Sequence, residues 1–244
     1  MITIADVSVS FGGVKAIAGL SATLTGPIVG VIGPNGAGKT TLLNVLSGFV
    51  TPQSGRIEAF GQEILALSPN KRALWGLRRS FQAEQVVDDL TVAENILVMA
   101  DSLKLGRAEK KAELARVLGY VGLLGRESVL GRHLNAYERR MVEIGRALVG
   151  KPRIVLLDEP GAGLSQSEVD QLRGIILGIQ DFSGAMTVLI DHDVELITAV
   201  CGNTLVIDFG IPIAYGPTVE VLRDPKVQAA YLGTDEHLED EVAA

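Results

Sequence analysis

The run Gly33-Pro34-Asn35-Gly36-Ala37-Gly38-Lys39-Thr40 constrains this chain more than any other stretch. Glycine, four residues, then Gly-Lys-Thr is the pattern of a loop that cradles phosphate, and such a loop works only between a strand and a helix. That setting is present. Ile28-Val29-Gly30-Val31-Ile32 is an apolar run suited to a buried parallel strand, and Thr41-Leu42-Leu43-Asn44-Val45-Leu46 reads as a helix ending near Gly48. Between them, glycines let the backbone take positive φ and turn successive N–H groups toward phosphate oxygens, while the helix N-terminus adds partial positive charge. Lys39 is expected to reach the β- and γ-phosphates of a nucleoside triphosphate, and Thr40 to hold Mg²⁺.

The 244 residues suffice for one α/β domain with a smaller subdomain, and a hydrophobic share of 47% can supply its core. No apolar stretch approaches the roughly 18 to 20 residues of a membrane span, and Met1-Ile2-Thr3-Ile4 lacks the basic-then-apolar character of a leader, so a soluble, unexported chain is expected. The single cysteine, Cys201, excludes an internal disulfide, and no His/Cys cluster suggests zinc. A net charge of −7 argues against a general grip on nucleic acid. The one basic stretch, from Lys104 through Arg107, Lys110, Lys111, Arg116, Arg126, Arg132 and Arg139 to Arg140, is interleaved with Glu109, Glu113 and Glu127 and reads as a solvated helical surface.

Along the chain, residues 2–24 alternate loosely around Gly12-Gly13 and Gly19, predicting short antiparallel strands. A strand at 56–60, a helix from Pro69 and a strand at 77–81 ending at Gln82 follow. From Gln82 to His133 the character turns helical: Thr91-Val92-Ala93-Glu94 is a capping box, and 107–118 is amphipathic. The βα alternation then resumes, with a helix at 136–149 behind Asn135, a strand at 153–158, a helix from Ser165 to about Ile179, a strand at 186–190, a hairpin about Gly210 and a closing helix at 218–223. The whole reads as a single domain, 1–244, of α/β class with a mostly parallel sheet, an N-terminal antiparallel β subdomain, and a helical subdomain at about 83–150 between the phosphate loop and the acids described next. The acidic tail 235–244 is expected to be mobile.

Ile154-Val155-Leu156-Leu157-Asp158-Glu159 puts two carboxylates at the end of an apolar strand, where ligands of α/β sheets gather. Asp158 could serve Mg²⁺, and Glu159 could polarise a water that attacks the γ-phosphate. His192 follows a second apolar strand and Gln82 a third. Phe11, before a glycine pair, suits either plain core or a nucleobase face.

In this order these motifs resemble the ATP-binding cassette family, the ATPase subunits of ABC transporters, over essentially the full length. The resemblance implies that Gly33 to Thr40 is Walker A, Gln82 the Q-loop, Asp158 and Glu159 Walker B with its catalytic acid, and His192 the switch histidine. It further implies a catalytic set of Glu159, His192 and Gln82, metal contacts from Thr40, Gln82 and Asp158, and ATP contacts from Phe11, Ala16, Asn35, Gly36, Gly38, Lys39, Thr40 and Thr41. Phe11-Gly12-Gly13, Arg79-Ser80-Phe81-Gln82, Leu90-Thr91-Val92-Ala93-Glu94-Asn95 and Ala230-Tyr231-Leu232-Gly233 look most like the branch serving branched-chain amino acid and urea-type uptake.

One motif departs. Where the family has Leu-Ser-Gly-Gly-Gln or close to it, this chain has Leu134-Asn135-Ala136-Tyr137-Glu138. The serine hydroxyl, a glycine and the glutamine are gone, Tyr137 adds bulk, and Glu138 is expected to put negative charge beside a triphosphate. In the family two subunits sandwich ATP and each signature faces the other's Walker A, so the resemblance implies an asymmetric heterodimer or, failing that, a homodimer. It also implies transmembrane permease partners, a place on the cytoplasmic face of the membrane, and no nucleic-acid partner. A non-hydrolysing regulatory subunit and a non-transport ABC ATPase are the competing expectations.

Overall fold

The computed structural model describes residues 1–232, so Gly233 of the last motif above and the acidic tail at 235–244 lie outside the described residues. In chain order the elements are β1 (Ile2–Phe11), β2 (Val14–Leu24), β3 (Ile28–Ile32), α1 (Lys39–Ser47), β4 (Ser54–Ala59), β5 (Gln62–Glu63), α2 (Pro69–Trp75), β6 (Leu77–Arg79), α3 (Val92–Ser102), α4 (Arg107–Tyr120) and α5 (Ala136–Leu148). Then come β7 (Ile154–Asp158), α6 (Gln166–Ser183), β8 (Met186–Ile190), α7 (Val194–Val200), β9 (Asn203–Asp208), β10 (Ile211–Pro217), α8 (Thr218–Val221) and α9 (Pro225–Leu232). Two compact units emerge: Met1–Pro69 with the described residues from Val188 onward, and Asn70–Thr187.

In the first unit, β2-β1-β4-β5 form an antiparallel sheet, as the loose alternation of 2–24 predicts. Ile2, Ile4, Val7, Val9, Ile17, Leu20 and Leu24 turn inward and are fully buried or nearly so. The register between β1 and β2 slips between Ile4 and Val7 and again on either side of Val9, which explains why the alternation is imperfect. Strand β3 is buried at all five positions and runs parallel to β9, and β10 returns antiparallel to β9. A strand covered on both faces must be apolar throughout, as 28–32 is.

In the second unit β6 runs parallel to β7, also buried throughout, and helices α3, α4 and α5 pack on one another, with Ile96, Ala100, Val117, Met141, Ile144 and Leu148 buried. Helix α6 runs on to Ser183 and stops at Gly184, which takes φ 79, four residues beyond the expected end. Strand β6 is shorter than the predicted 77–81. Ser80 N–H still bonds Leu156 O, but β7 ends two residues later, so Phe81 and Gln82 leave the sheet as a loop. Helices α7 and α9 were not foreseen from the sequence: both are short, at 7 and 8 residues, and the Asp193 that caps α7 through Glu195 and Leu196 N–H sits in an acidic run that reads as a strand end.

Candidate functional site

The phosphate-loop pattern folds as its chemistry requires. Gly38 is the N-cap of α1 at φ 103, and a Cβ there would lie 2.3 Å from Ala16 O, so the loop approaches β2 as only glycine allows. Lys39 is buried, and its Nζ donates to the carbonyls of Gly33 at 2.6 Å and Pro34 at 2.9 Å, which arches it back over the loop. Asn35, Gly36 and Thr40 are exposed, and Thr41 half-buried. Gly210 N–H bonds Ala37 O, and Ala18 N–H bonds Gly210 O, so the turn after β9 braces the loop and β2 together. Ala16 is half-buried on that stretch of β2. Phe11 is 53% exposed at the end of β1, opposite Val14 at 69%, which removes the plain-core alternative.

Also in this unit, His192 follows β8 with a side chain 71% exposed, its Nδ1 3.7 Å from Oδ1 of buried Asp191. Asp191 Oδ1 accepts the Asp193 N–H, so the carboxylate holds the turn on which the imidazole stands. Burial, and secondarily the charge of Asp191, pushes the Cys201 thiol up to about 12.

In the second unit the acids part company at the end of β7. Asp158 is 1% exposed. Its Oδ2 accepts from Arg79 Nη2 at 2.8 Å, its N–H donates to Ser80 Oγ, and its Oδ1, buried, has no hydrogen-bond partner among the described residues. Glu159 is half-buried at φ 47, a left-handed conformation uncommon for a side-chain-bearing residue and characteristic of functional turns. Its Oε2 accepts from Gln82 Nε2 at 2.9 Å. Two candidates 77 positions apart in sequence thus meet.

The loop that carries Gln82 is clamped by α5. Arg140 Nη1 donates to Phe81 O at 3.0 Å and to Glu143 Oε2 at 2.8 Å, Glu143 Oε1 accepts from Gln85 N–H at 2.7 Å, and Arg146 Nη1 donates to Gln85 O at 2.8 Å. Arg139 reaches Glu84 and Asp88. The reading of the basic stretch as a solvated surface is therefore corrected at its C-terminal end: Arg140 and Glu143 are buried at 2% and 1%, because a loop leaving a sheet needs partners for its backbone. Burial tends to raise the Glu143 carboxyl above its ordinary range, against the pull of the Gln85 N–H and the two arginines. Nothing in the one-dimensional pattern distinguishes this pair from an ordinary i,i+3 surface bridge.

The altered signature segment caps its own helix. Asn135 Oδ1 accepts the Glu138 N–H at 2.8 Å, and Glu138 Oε2 accepts the Asn135 N–H at 3.1 Å. Glu138 Oε1 pairs with Arg126 at 2.8 Å. The expected bare charge of Glu138 is accordingly tied back to Arg126 and to the backbone, with Asn135 exposed beside it.

Among the described residues no helix is long and apolar enough to cross a membrane, and no group of three or more His, Cys, Asp or Glu could hold a metal ion. Comparison with known proteins agrees with these elements. The profile of the family described as ABC transporter matches residues 19–162, and that of the branched-chain amino acid ATP-binding cassette transporter matches residues 212–237. The chain is 33% identical over 249 residues to the high-affinity branched-chain amino acid transport ATP-binding protein BraF of Pseudomonas aeruginosa, covering 96% of this chain and 98% of that one. It is 33% identical, with the same coverage, to the branched-chain amino acid transport ATP-binding protein LivG of Escherichia coli K12. Its fold matches the ADP conformation of MJ1267, an ATP-binding cassette of an ABC transporter, with a TM-score of 0.84 at 26% identity over 96% of this chain and 98% of that one. On its motifs, its fold and these matches, the chain belongs to the ABC transporter family as an ATP-binding cassette ATPase.

Proposed function

We propose that this chain is the ATP-hydrolysing subunit of an importer for amino acids or related small polar solutes, working at the cytoplasmic face of a membrane with permease partners and a second cassette. The relatives named for branched-chain amino acid transport support the solute class. The observation that carries hydrolysis is Glu159, strained to φ 47 at the end of β7 and hydrogen-bonded to Gln82.

In one unit the loop Gly33–Thr40 binds the triphosphate through its N–H groups and Lys39, Phe11 and Ala16 meet the adenosine end, and His192 senses the γ-phosphate. In the other, Glu159 takes the proton of the attacking water, and Gln82 orients that carboxylate. Mg²⁺ would neutralise the charge that builds on the transferred phosphoryl group. Thr40 in the first unit, and Gln82 and Asp158 in the second, each carry the hard oxygen donor that Mg²⁺ takes, and Asp158 Oδ1 is buried without a hydrogen-bond partner among the described residues.

We further propose that the cassette pairs asymmetrically. With Asn135 and Glu138 engaged in their own cap, the segment Leu134–Glu138 presents a poor face to a partner's nucleotide, and losing a hydrogen bond to a charged group costs about 1.5 to 3 kcal/mol. The site built on this chain's Walker A would fire only when a partner supplies an intact signature. The same cap keeps a second reading, a nucleotide-binding regulatory subunit, in play. The test is to recover the cellular partners, then assay ATPase of the chain alone and of the reconstituted pair, with parent and Glu159→Gln. Glu159→Gln should bind ATP and lower turnover of the pair by roughly 10² to 10⁴. Strong turnover by the chain alone refutes the asymmetric pair, and no turnover with any partner favours the regulatory reading.

A further inference from the structure

Phe209 is the most exposed large apolar side chain among the described residues, at 82%. It stands in the two-residue turn between β9 and β10, since Asp208 pairs with Ile211. Phe209 has φ 44 and Gly210 φ 76, the φ pattern of a type I′ turn, whose first position favours asparagine, aspartate or glycine. Phenylalanine there serves neither the turn nor the core.

The turn is rigidly placed. A Cβ on Gly210 would lie 2.7 Å from Ala16 O, its N–H bonds Ala37 O inside the phosphate loop, and its carbonyl accepts the Ala18 N–H. β9 runs parallel to β3, so the turn lies at the carboxyl ends of these strands together with the phosphate loop, the edge at which open α/β sheets bind ligands. Ala16 is two residues along β2, about 7 Å, from Val14, the partner of Phe11. Two exposed phenylalanines thus stand close to Ala16 along the chain's own contacts: Phe209 precedes the Gly210 that packs on Ala16 O, and Phe11 pairs with Val14, two residues from Ala16.

We propose that Phe209 is a second nucleobase contact, an aromatic wall that receives the adenine or ribose of the bound triphosphate in addition to Phe11. The inference rests on the reading of Gly33–Thr40 as an ATP site. An exposed ring anchored one residue from that loop has an apolar, planar surface to offer, and stacking on a base is indifferent to the phosphates. Its contribution therefore belongs to nucleotides and not to inorganic triphosphate.

Calorimetric titration of the full chain with Mg-ATP and with Mg-tripolyphosphate separates these contributions. Phe209→Ala is expected to weaken ATP about five- to tenfold, within what alanine substitution of a stacking aromatic removes, with tripolyphosphate unchanged. Phe209→Trp keeps a ring and should stay within about twofold of the parent for both. Lys39→Ala, by contrast, should weaken both ligands. A parent chain that binds neither ligand overturns the ATP-site reading itself. A parent that binds ATP, with Phe209→Ala equal to it, overturns only the role of Phe209, as does equal loss of ATP and tripolyphosphate. Unchanged ATP affinity combined with weakened association with a second cassette would also overturn it, by assigning the ring to a protein interface.

Discussion

Lys39 is buried against the carbonyls of its own loop, so its ammonium is pre-positioned and little rotamer entropy remains to be lost when phosphate arrives. Lys39→Ala should weaken Mg-ATP binding roughly 10- to 100-fold by removing a charge-assisted contact, measurable by titration calorimetry, while thermal unfolding moves little. Cys201 gives a second test at this scale. With its thiol pushed up to about 12, the folded protein holds a thiolate population about a thousandfold below that of an ordinary cysteine at pH 8. Maleimide labelling should be slow across pH 7 to 9 and become fast in denaturant. Rapid labelling of the native state would contradict the burial of Cys201. Lys39 was legible as a candidate because the phosphate-loop pattern is local: the glycines, the lysine and the hydroxyl that it requires fall within eight positions. Glu159 was legible as a candidate, but its left-handed φ and its bond to Gln82 belong to the folded chain and leave no mark on the sequence.

At the scale of elements, α5 performs two tasks at its two ends. Its N-terminus is closed by the Asn135–Glu138 box, and Asn135→Ala should cost about 1 kcal/mol in denaturant unfolding. Its middle turns hold the loop of Gln82 through the buried Arg140–Glu143 pair. Glu143→Ala leaves that guanidinium without its carboxylate, and Gln85 N–H without its acceptor. A loss of roughly 3 to 5 kcal/mol is expected, together with reduced ATP turnover in the assembled protein. A change under about 1 kcal/mol would show the pair to be dispensable. The long, strongly patterned helices and the buried strands β3, β7 and β8 were readable because period and burial repeat over many residues. The short α7 and α9 were not, since two turns give a period too few repeats to register. Arg139 and Arg140 read as solvated for a different reason: a charge's burial is decided by what packs over it, and Phe81 to Asp88 is brought there only by the fold.

For the whole molecule the governing question is how a cassette with one altered motif shares work with a partner. Substituting Asn135→Ser, Ala136→Gly, Tyr137→Gly and Glu138→Gln together would rebuild the family's usual segment. On the proposal that the altered segment keeps the chain alone from turning over ATP, the quadruple variant should raise its ATPase rate at least about tenfold, the effect of recovering one hydrogen bond to a charged group. An unchanged rate would move the cause elsewhere. Asn135→Ser alone keeps a capping residue, so it separates the stability of α5 from its chemistry. The self-closed end of α5, with Glu138 drawn to Arg126, also bears on thermodynamic reach. A transporter in which one of two sites fires draws on a single ATP per stroke. For one solute moved per stroke, the steepest concentration ratio it could sustain is then the square root of that available to a twin-firing machine. A capping box at a helix terminus would thus set the gear of the pump, trading the height of the gradient for economy of fuel.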